Sequence, residues 1–233
     1  MMKKVKTNNK ASISVIVVAK NEEKTIGDIL KKVKPFASEV ILIDGHSKDK
    51  TRDIAEKEKA TIFFDHGKGK GEAVRVGIKK ATGNILVFID ADGSHDPRDI
   101  PRLVKPIMVG ESDLVIGSRM LGGSDELHGT WNKFLRESAS HLIILGINWR
   151  FGVFLTDAQN GLRAIKKEVA QKLNLTENIT TIEQEMTIKA VRAGYRVSEV
   201  ATHEYRRQNG NSSIFLRKVW LRYLYTWLKY LLF

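Results

Sequence analysis

The chain has 233 residues, 42% of them hydrophobic, no cysteine and a formal net charge of +12. Without cysteine, neither a disulfide framework nor a thiolate metal site is open to it. The length gives one large domain with its own core, or one domain with an appendage, and no window approaches the roughly 20 uncharged apolar residues that span a bilayer. The start, MMKKVKTNNKAS, has no apolar stretch, so no signal peptide is expected. Residues 1–10 hold four lysines and no acid, and residues 205–233 hold Arg206, Arg207, Arg217, Lys218, Arg222 and Lys229 and no acid. A nucleic-acid surface would spread its charge over the folded body, and no nucleic-acid partner is expected. Two basic ends on a near-neutral body suit contact with an anionic surface such as a membrane.

The apolar pattern alternates strand and helix. Ile13–Val18 reads as a strand and Glu22–Val33 as a helix, through Ile26, Ile29, Leu30 and Val33. Val40–Ile43 is a strand ending at Asp44, Lys50–Lys59 a helix, and Thr61–Phe64 a strand. The Gly-rich turn GKGKGE at 67–72 opens a helix ending near Ala81. Then come a strand at Ile85–Ile89, a helix from Pro97 to Val109 and a strand at Asp113–Gly117. This order predicts an α/β fold with a doubly wound, mostly parallel sheet and right-handed crossovers. The regularity fades after residue 118. A Gly-rich loop at 121–129 leads to an amphipathic helix around Trp131–Leu145; Thr156–Arg163 reads as loop or strand edge, Thr181–Ala193 as helix, and Arg196–Val200 as strand. The predicted organisation is a basic tail at 1–11, a catalytic domain at 12–213 and an amphipathic helix at 214–233. In that last helix Lys218, Arg222 and Lys229 share one face of an otherwise apolar, aromatic segment. It reads as a membrane-interfacial helix; the other reading docks it on the body or on a second subunit, making a homo-oligomer.

The stretch ILVFIDADGSHDP at 85–97 carries the chemistry. An unbroken apolar run stops at Asp90-Ala91-Asp92. Residues two apart on a strand point to the same side, so both carboxylates can reach one point beyond the strand's C-terminal end. Ligands of open α/β sheets bind there. Hard oxygen ligands in such a place suit Mg²⁺ or Mn²⁺ completed by substrate phosphates. The plainer alternative is that these residues turn the chain. Asp96-Pro97 does fit an N-cap and N1 pair for the next helix, but that leaves unexplained why Asp90 ends a buried strand.

Eight stretches in order then point to one family: VIVVAKNEEKTI (15–26), VILIDGHSKDKTRDIA (40–55), GKGEAVRVGIKKATGN (69–84), FIDADGSHDP (88–97), VIGSRMLGG (115–123), TDAQNGLRAI (156–165), EQEM (183–186) and YRRQNGNSS (205–213). Together they resemble the family-2 inverting glycosyltransferases, and within them most closely the dolichyl-phosphate mannose synthase group and its polyprenyl-phosphate relatives. The resemblance covers residues 12–213. It implies the A-type glycosyltransferase fold, a nucleotide-diphosphate sugar donor, Mg²⁺ or Mn²⁺, a polyprenyl- or dolichyl-phosphate acceptor and a cytoplasmic enzyme peripheral on a membrane's cytoplasmic face.

Motif by motif, the resemblance places Ala19, Asn21 and Glu22 against the nucleotide, where Ala-Lys-Asn-Glu stands in place of the relatives' Pro-Tyr-Asn-Glu. Asp44 falls near base and ribose, with Gly45 and His46 replacing the relatives' second Asp and Gly. Asp90, Ala91 and Asp92 fall at the metal and diphosphate, with Ser94 as a further metal ligand and Asp92 counted as catalytic. Arg119, Arg136 and Arg207 fall on the donor phosphates, which guanidinium forks suit. Asp157 faces sugar and acceptor. A lipid phosphate is largely dianionic at neutral pH and needs no strong base; a sugar hydroxyl needs one, and Asp157 is then the candidate. Lys68 and Lys70 lie in a Gly-rich turn without P-loop spacing and rank low. His46, His95 and His203 read as structural. Glu183 and Glu185 face different sides of their helix, and neither is chosen as a base. Rival readings are a soluble family-2 transferase acting on a saccharide hydroxyl, a sugar-nucleotide pyrophosphorylase, and a non-catalytic nucleotide-sugar-binding module.

Overall fold

The computed structural model describes residues 11–126, 131–207 and 216–232, without the side chains of 131–136 and 216–220. The predicted basic N-terminal tail falls outside the described residues, apart from Ala11. In chain order the first half contains β1 (Ile13–Ala19), α1 (Ile26–Val33), β2 (Glu39–Asp44), α2 (Thr51–Lys57), β3 (Thr61–Phe64), α3 (Lys70–Lys80), β4 (Ile85–Asp90) and α4 (Ile100–Met108). The second half contains β5 (Leu114–Ser118), α5 (Arg119–Gly122), α6 (Trp131–Phe151), β6 (Arg163–Lys166), α7 (Lys167–Lys172), α8 (Ile182–Arg192), β7 (Val197–Ala201) and α9 (Leu216–Leu232).

The seven strands form one sheet in the order β3-β2-β1-β4-β6-β5-β7. All pairings are parallel except those of β6, which runs antiparallel between β4 and β5. The expected α/β, mostly parallel sheet is therefore the fold. β6 and α7 were not foreseen. RAIK is only four residues long and follows a polar stretch, so it carries no periodic signal.

Alternation across the pleat sorts the core into two layers. Val15, Val17, Leu42, Val87 and Ile89 pack beneath α1 and α4, while Ile16, Ile41, Ile43, Leu86 and Phe88 pack beneath α3, α7 and α8. This is why the central strands read as unbroken apolar runs: both faces are covered. The helix expected from Glu22 begins only at Ile26. Residues 20–23 are instead a loop, with Asn21 at φ 57. Its backbone is laced to the β2–α2 loop by Asn21 N donating to Ser47 Oγ (2.9 Å) and Glu22 N donating to Thr51 Oγ1 (2.8 Å). After β4, the Asp96 side chain accepts from Arg98 N at 2.9 Å, with Pro97 next, as the cap signal predicted.

A third apolar cluster joins α6, α8 and α9 through Ile143, Ile144, Ile147, Ile188, Tyr230 and Leu231. Gly146 of α6 admits the Trp227 ring of α9; a Cβ there would overlap it. The membrane-interfacial reading of residues 214–233 is corrected here. Thr226, Tyr230 and Leu231 of α9 are buried against the body. Two of its stripe cations turn inward to one carboxylate: Arg222 Nη2 lies 2.8 Å and Lys229 Nζ 3.8 Å from Glu177. Among the described residues no helix is long and apolar enough to cross a membrane.

Candidate active site

Beyond the C-terminal ends of β1, β2 and β4 opens a cleft of about 890 Å³. Of the residues singled out in the sequence, Ala19, Asn21, Glu22, Asp90, Ala91, Asp92, Ser94, Arg119 and Arg207 line it. Asp44 and Asp157 do not. Asp44 is fully buried under the cleft floor, where its Oδ2 accepts from Ser47 N at 3.0 Å, and Gly45 lines the wall in its place. The side chain of Arg136 lies outside the described residues.

Asp92 is held from both sides. Its Oδ1 accepts from Ser94 N (3.0 Å) and Ser94 Oγ (2.6 Å), and its Oδ2 lies 3.2 Å from Arg207 Nη1. The Ser94 hydroxyl thus fixes the Asp92 carboxylate. Arg207 brings a guanidinium to the same place, its backbone N–H donating to Glu126 at 3.3 Å. Nearby, burial and then the Asp92 charge push the Glu22 carboxyl up to about 7. His95 lies within reach of the Asp90 and Asp92 charges; burial lowers its pKa, and its buried Nδ1 has no hydrogen-bond partner.

Asp90 meets a residue that the sequence reading ranked low. Lys70, at the first position of α3, places its Nζ 2.7 and 2.8 Å from the two Asp90 oxygens and 2.9 Å from Glu183 Oε1. Burial alone would lower this lysine's pKa, but Asp90 and Glu183 override it and hold the ammonium charged. The same partner keeps Asp90 below its ordinary value against the effect of burial. Gly161 closes over this pair; a Cβ would come within 2.6 Å of Asp90 Oδ2 and 2.8 Å of Lys70 Nζ. Glu183 lines the cleft, and its buried Oε2 has no hydrogen-bond partner.

Arg119, which lines the cleft, and the buried Asp157 engage each other. Arg119 Nε and Nη2 donate to Asp157 Oδ2 and Oδ1 at 2.7 and 3.0 Å, and Arg119 Nη1 lies 3.5 Å from Glu204. Burial would raise Asp157, but Arg119 overrides it and holds the carboxylate ionised below its ordinary value. Lys70 and Glu183 were weighed in the sequence and set aside, and Asp65 was passed over; all three line the cleft. Asp65 carried a usable signal: it follows β3 as Asp44 ends β2. Lys70 and Glu183 are 113 positions apart, and only packing brings them together.

The donor set permits a test for a divalent ion. Carboxylate oxygens of Asp90 and Asp92 are hard ligands of the kind Mg²⁺ and Mn²⁺ take. Among the described residues no group of three or more His, Asp or Glu is arranged to hold an ion alone. The site therefore fits an ion completed by water and substrate phosphates, and does not fit an all-protein cage.

Strand order, cleft position and the Asp-Ala-Asp strand end define an A-type glycosyltransferase fold. The Glycosyl transferase family 2 model matches residues 14–174, and the chain belongs to that family. An uncharacterized protein of Methanocaldococcus jannaschii is 36% identical over 200 residues, covering 82% of this chain and 81% of that one. Glycosyltransferase AglJ of Haloferax volcanii is 28% identical, over 87% of this chain and 66% of its own length. Among solved structures, glucosyl-3-phosphoglycerate synthase of Mycobacterium tuberculosis with phosphoglyceric acid has a TM-score of 0.74 at 24% identity, covering 94% of this chain and 80% of that one. The same synthase with Mn²⁺ and UDP-glucose has a TM-score of 0.74 at 23% identity, covering 94% and 79%.

Family 2 thus stands, and the narrower expectations are corrected. The likeness to the dolichyl-phosphate mannose synthase group gives way, because the solved structures that match include a synthase crystallised with phosphoglyceric acid. With it go the polyprenyl-phosphate acceptor, the membrane contact through residues 214–233 and the peripheral location on a cytoplasmic membrane face. The membrane contact had also drawn on the basic stripe of α9, two of whose cations Glu177 engages.

Proposed function

We propose that this glycosyltransferase moves a sugar, with inversion, from a nucleotide-diphosphate sugar to a hydroxyl of a small-molecule acceptor, assisted by a divalent ion. The carrying observation is one continuous cleft with two chemically distinct stations. At one, Asp92 faces Arg207 beside Glu22. At the other, Lys70 pairs with Asp90 and with one oxygen of Glu183, a cleft-lining residue whose second oxygen is buried without a hydrogen-bond partner. Asp90 and Asp92 would hold Mn²⁺ or Mg²⁺ together with the donor diphosphate. When bound, the ion supplies Lewis-acid neutralisation of the leaving group. Arg207 adds fixed positive charge for the same oxygens. Ala19, Asn21 and Glu22 form the nucleotide wall.

A hydroxyl acceptor needs a base. Asp157 is bound bidentately by Arg119, so its assigned role becomes that of a buried counter-ion. Glu183, which lines the cleft, has one oxygen without a hydrogen-bond partner and is held in place by Lys70, is the candidate. The likeness to a synthase crystallised with UDP-glucose makes UDP-sugars the first donors to test. The test is titration calorimetry of UDP with and without Mn²⁺, followed by transfer assays on the wild type and Asp92→Ala. Mn²⁺-dependent UDP binding that is lost in Asp92→Ala, with an unchanged circular dichroism spectrum, supports the reading. Equal UDP binding in EDTA and Mn²⁺, or full transfer by Asp92→Ala, sinks it.

A further inference from the structure

Beyond Lys70 and Glu183 the cleft changes character. Its far end is walled by α6 and α9, with Leu142, Ile143, Tyr223, Leu224 and Trp227 among the lining residues. Several polar groups there are engaged with one another or with the backbone. Ser140 Oγ donates to Gln159 at 2.6 Å, Tyr223 OH to Thr180 Oγ1 at 2.6 Å, and Trp227 Nε1 to the Ile143 carbonyl at 3.1 Å. Beside Ser140, Gln159 and Thr180, the surface there is mostly hydrocarbon and aromatic ring. Leu142 and Leu224 are 66% and 39% exposed, large for leucines that line a cleft. The cations that line the cleft among the described residues are Lys20, Lys70, Arg119, Arg207 and the titratable His95, and all stand at the donor end or on the dividing line. Lys70, Arg119 and Arg207 each sit on a carboxylate. The full cleft, at about 890 Å³, is near the upper end of the range for single-ligand pockets, so it has room for a second compound beside the donor.

We infer that the α6–α9 end is an acceptor subsite for an uncharged hydroxyl compound bearing an apolar or aromatic group, such as an alkyl or aryl glycoside. This deepens the proposed transfer reaction and rests on it. A phosphorylated or carboxylic acceptor would bring negative charge against Glu183 with no cation from the described residues of α6 or α9 to meet it. Burying a charge without a partner is costly, whereas an alkyl or aryl group meets its like. The hydroxyl would then lie towards Glu183 and the apolar group towards Leu142 and Leu224.

The test uses the full chain saturated with UDP and Mn²⁺, and calorimetric titration of four probes. They are methyl β-D-glucopyranoside, phenyl β-D-glucopyranoside, octyl β-D-glucopyranoside below its micelle threshold, and 3-phosphoglycerate. The expected result is at least tenfold tighter binding of the phenyl or octyl glycoside than of the methyl glycoside. The double variant Leu142→Ser/Leu224→Ser should erase that preference while binding UDP–Mn²⁺ as the wild type does, which also reports that it folds. Equal affinities for all glycosides, no binding of either apolar probe, or tighter binding of 3-phosphoglycerate, in a wild-type protein that binds UDP–Mn²⁺, overturns the inference. Failure of UDP–Mn²⁺ to bind overturns the donor reading itself, and the inference with it.

Discussion

Glu183 has the most to decide at the scale of single residues. It is buried, one oxygen lies 2.9 Å from Lys70, and the other is buried without a hydrogen-bond partner. A buried carboxylate oxygen left open is costly unless a ligand supplies the missing donor. Glu183→Gln keeps the shape and removes the base. Its kcat with a hydroxyl acceptor should fall by about 10²–10⁴-fold, the usual range for a lost general base, while UDP–Mn²⁺ still binds. Undiminished kcat would remove Glu183 from the chemistry. The sequence exposed half of this arrangement. Asp90 and Asp92 were legible because a buried strand can end in two carboxylates only at a cost, which needs a reason. Lys70 and Glu183 were both noticed but not joined, because their meeting depends on how α3 and α8 pack. Arg119 and Asp157 were noticed for their type, but only the fold shows that each is the other's partner.

At the scale of elements, the parallel core was readable and the second half was not. Continuous apolar runs at β1, β2 and β4 declare strands covered on both faces. β6 is short and antiparallel, with Arg163 as its first residue, so its pattern is hidden. α9 shows the converse failure: its apolar, aromatic face with a basic stripe was read as amphipathic for a membrane, yet Trp227 seats over Gly146 and Arg222 reaches Glu177. Periodicity reports that a face is to be covered, not by what. Gly146→Leu tests the docking. A side chain there must displace the Trp227 ring, and overpacking of this kind costs about 1–3 kcal/mol. For a domain of this size that lowers Tm by roughly 2–12 °C. Calorimetric melts should show the fall, with a red shift of tryptophan emission as the ring leaves its seat. An unchanged Tm and emission maximum would mean that α9 is not held there.

At the scale of the whole molecule, the titrating groups pull stability in one direction above mild acidity and in the other below it. Asp90, Asp157 and Glu177 are buried, which raises them, but cationic partners override this and leave their pKa values low in the fold. Asp113 is lowered first by its Arg196 hydrogen bond. Groups with depressed folded pKa values contribute stability above the unfolded carboxylate range, about 4, and lose it as pH falls through the lower folded values. Glu22, raised to about 7 by burial and then by Asp92, behaves oppositely, as do Asp99 and Glu199, raised chiefly by burial. The fold binds their protons more tightly than the unfolded chain does, so stability falls as pH climbs from about 4.3 towards 7. His203 extends the loss upward. Its two ring nitrogens lie 3.0 Å from the Gly122 carbonyl and 3.0 Å from Asp125, both acceptors, so only the imidazolium satisfies both. Those bonds raise its pKa, the Gly122 contact first, and its contribution, present below about 6.5, disappears as pH passes the raised value. His95, lowered by burial, pulls the other way, and the sum places maximum stability near pH 5, on the acid side of neutrality. Thermal melts from pH 4 to 9 without added metal should show Tm highest there and declining to pH 8. Glu22→Gln should flatten the part of the decline between about pH 5 and 7, and His203→Gln the part above about 6.5. A Tm that rises from pH 5 to 8 in the wild type would show that the buried carboxylates near the cleft are ionised more easily than their surroundings imply.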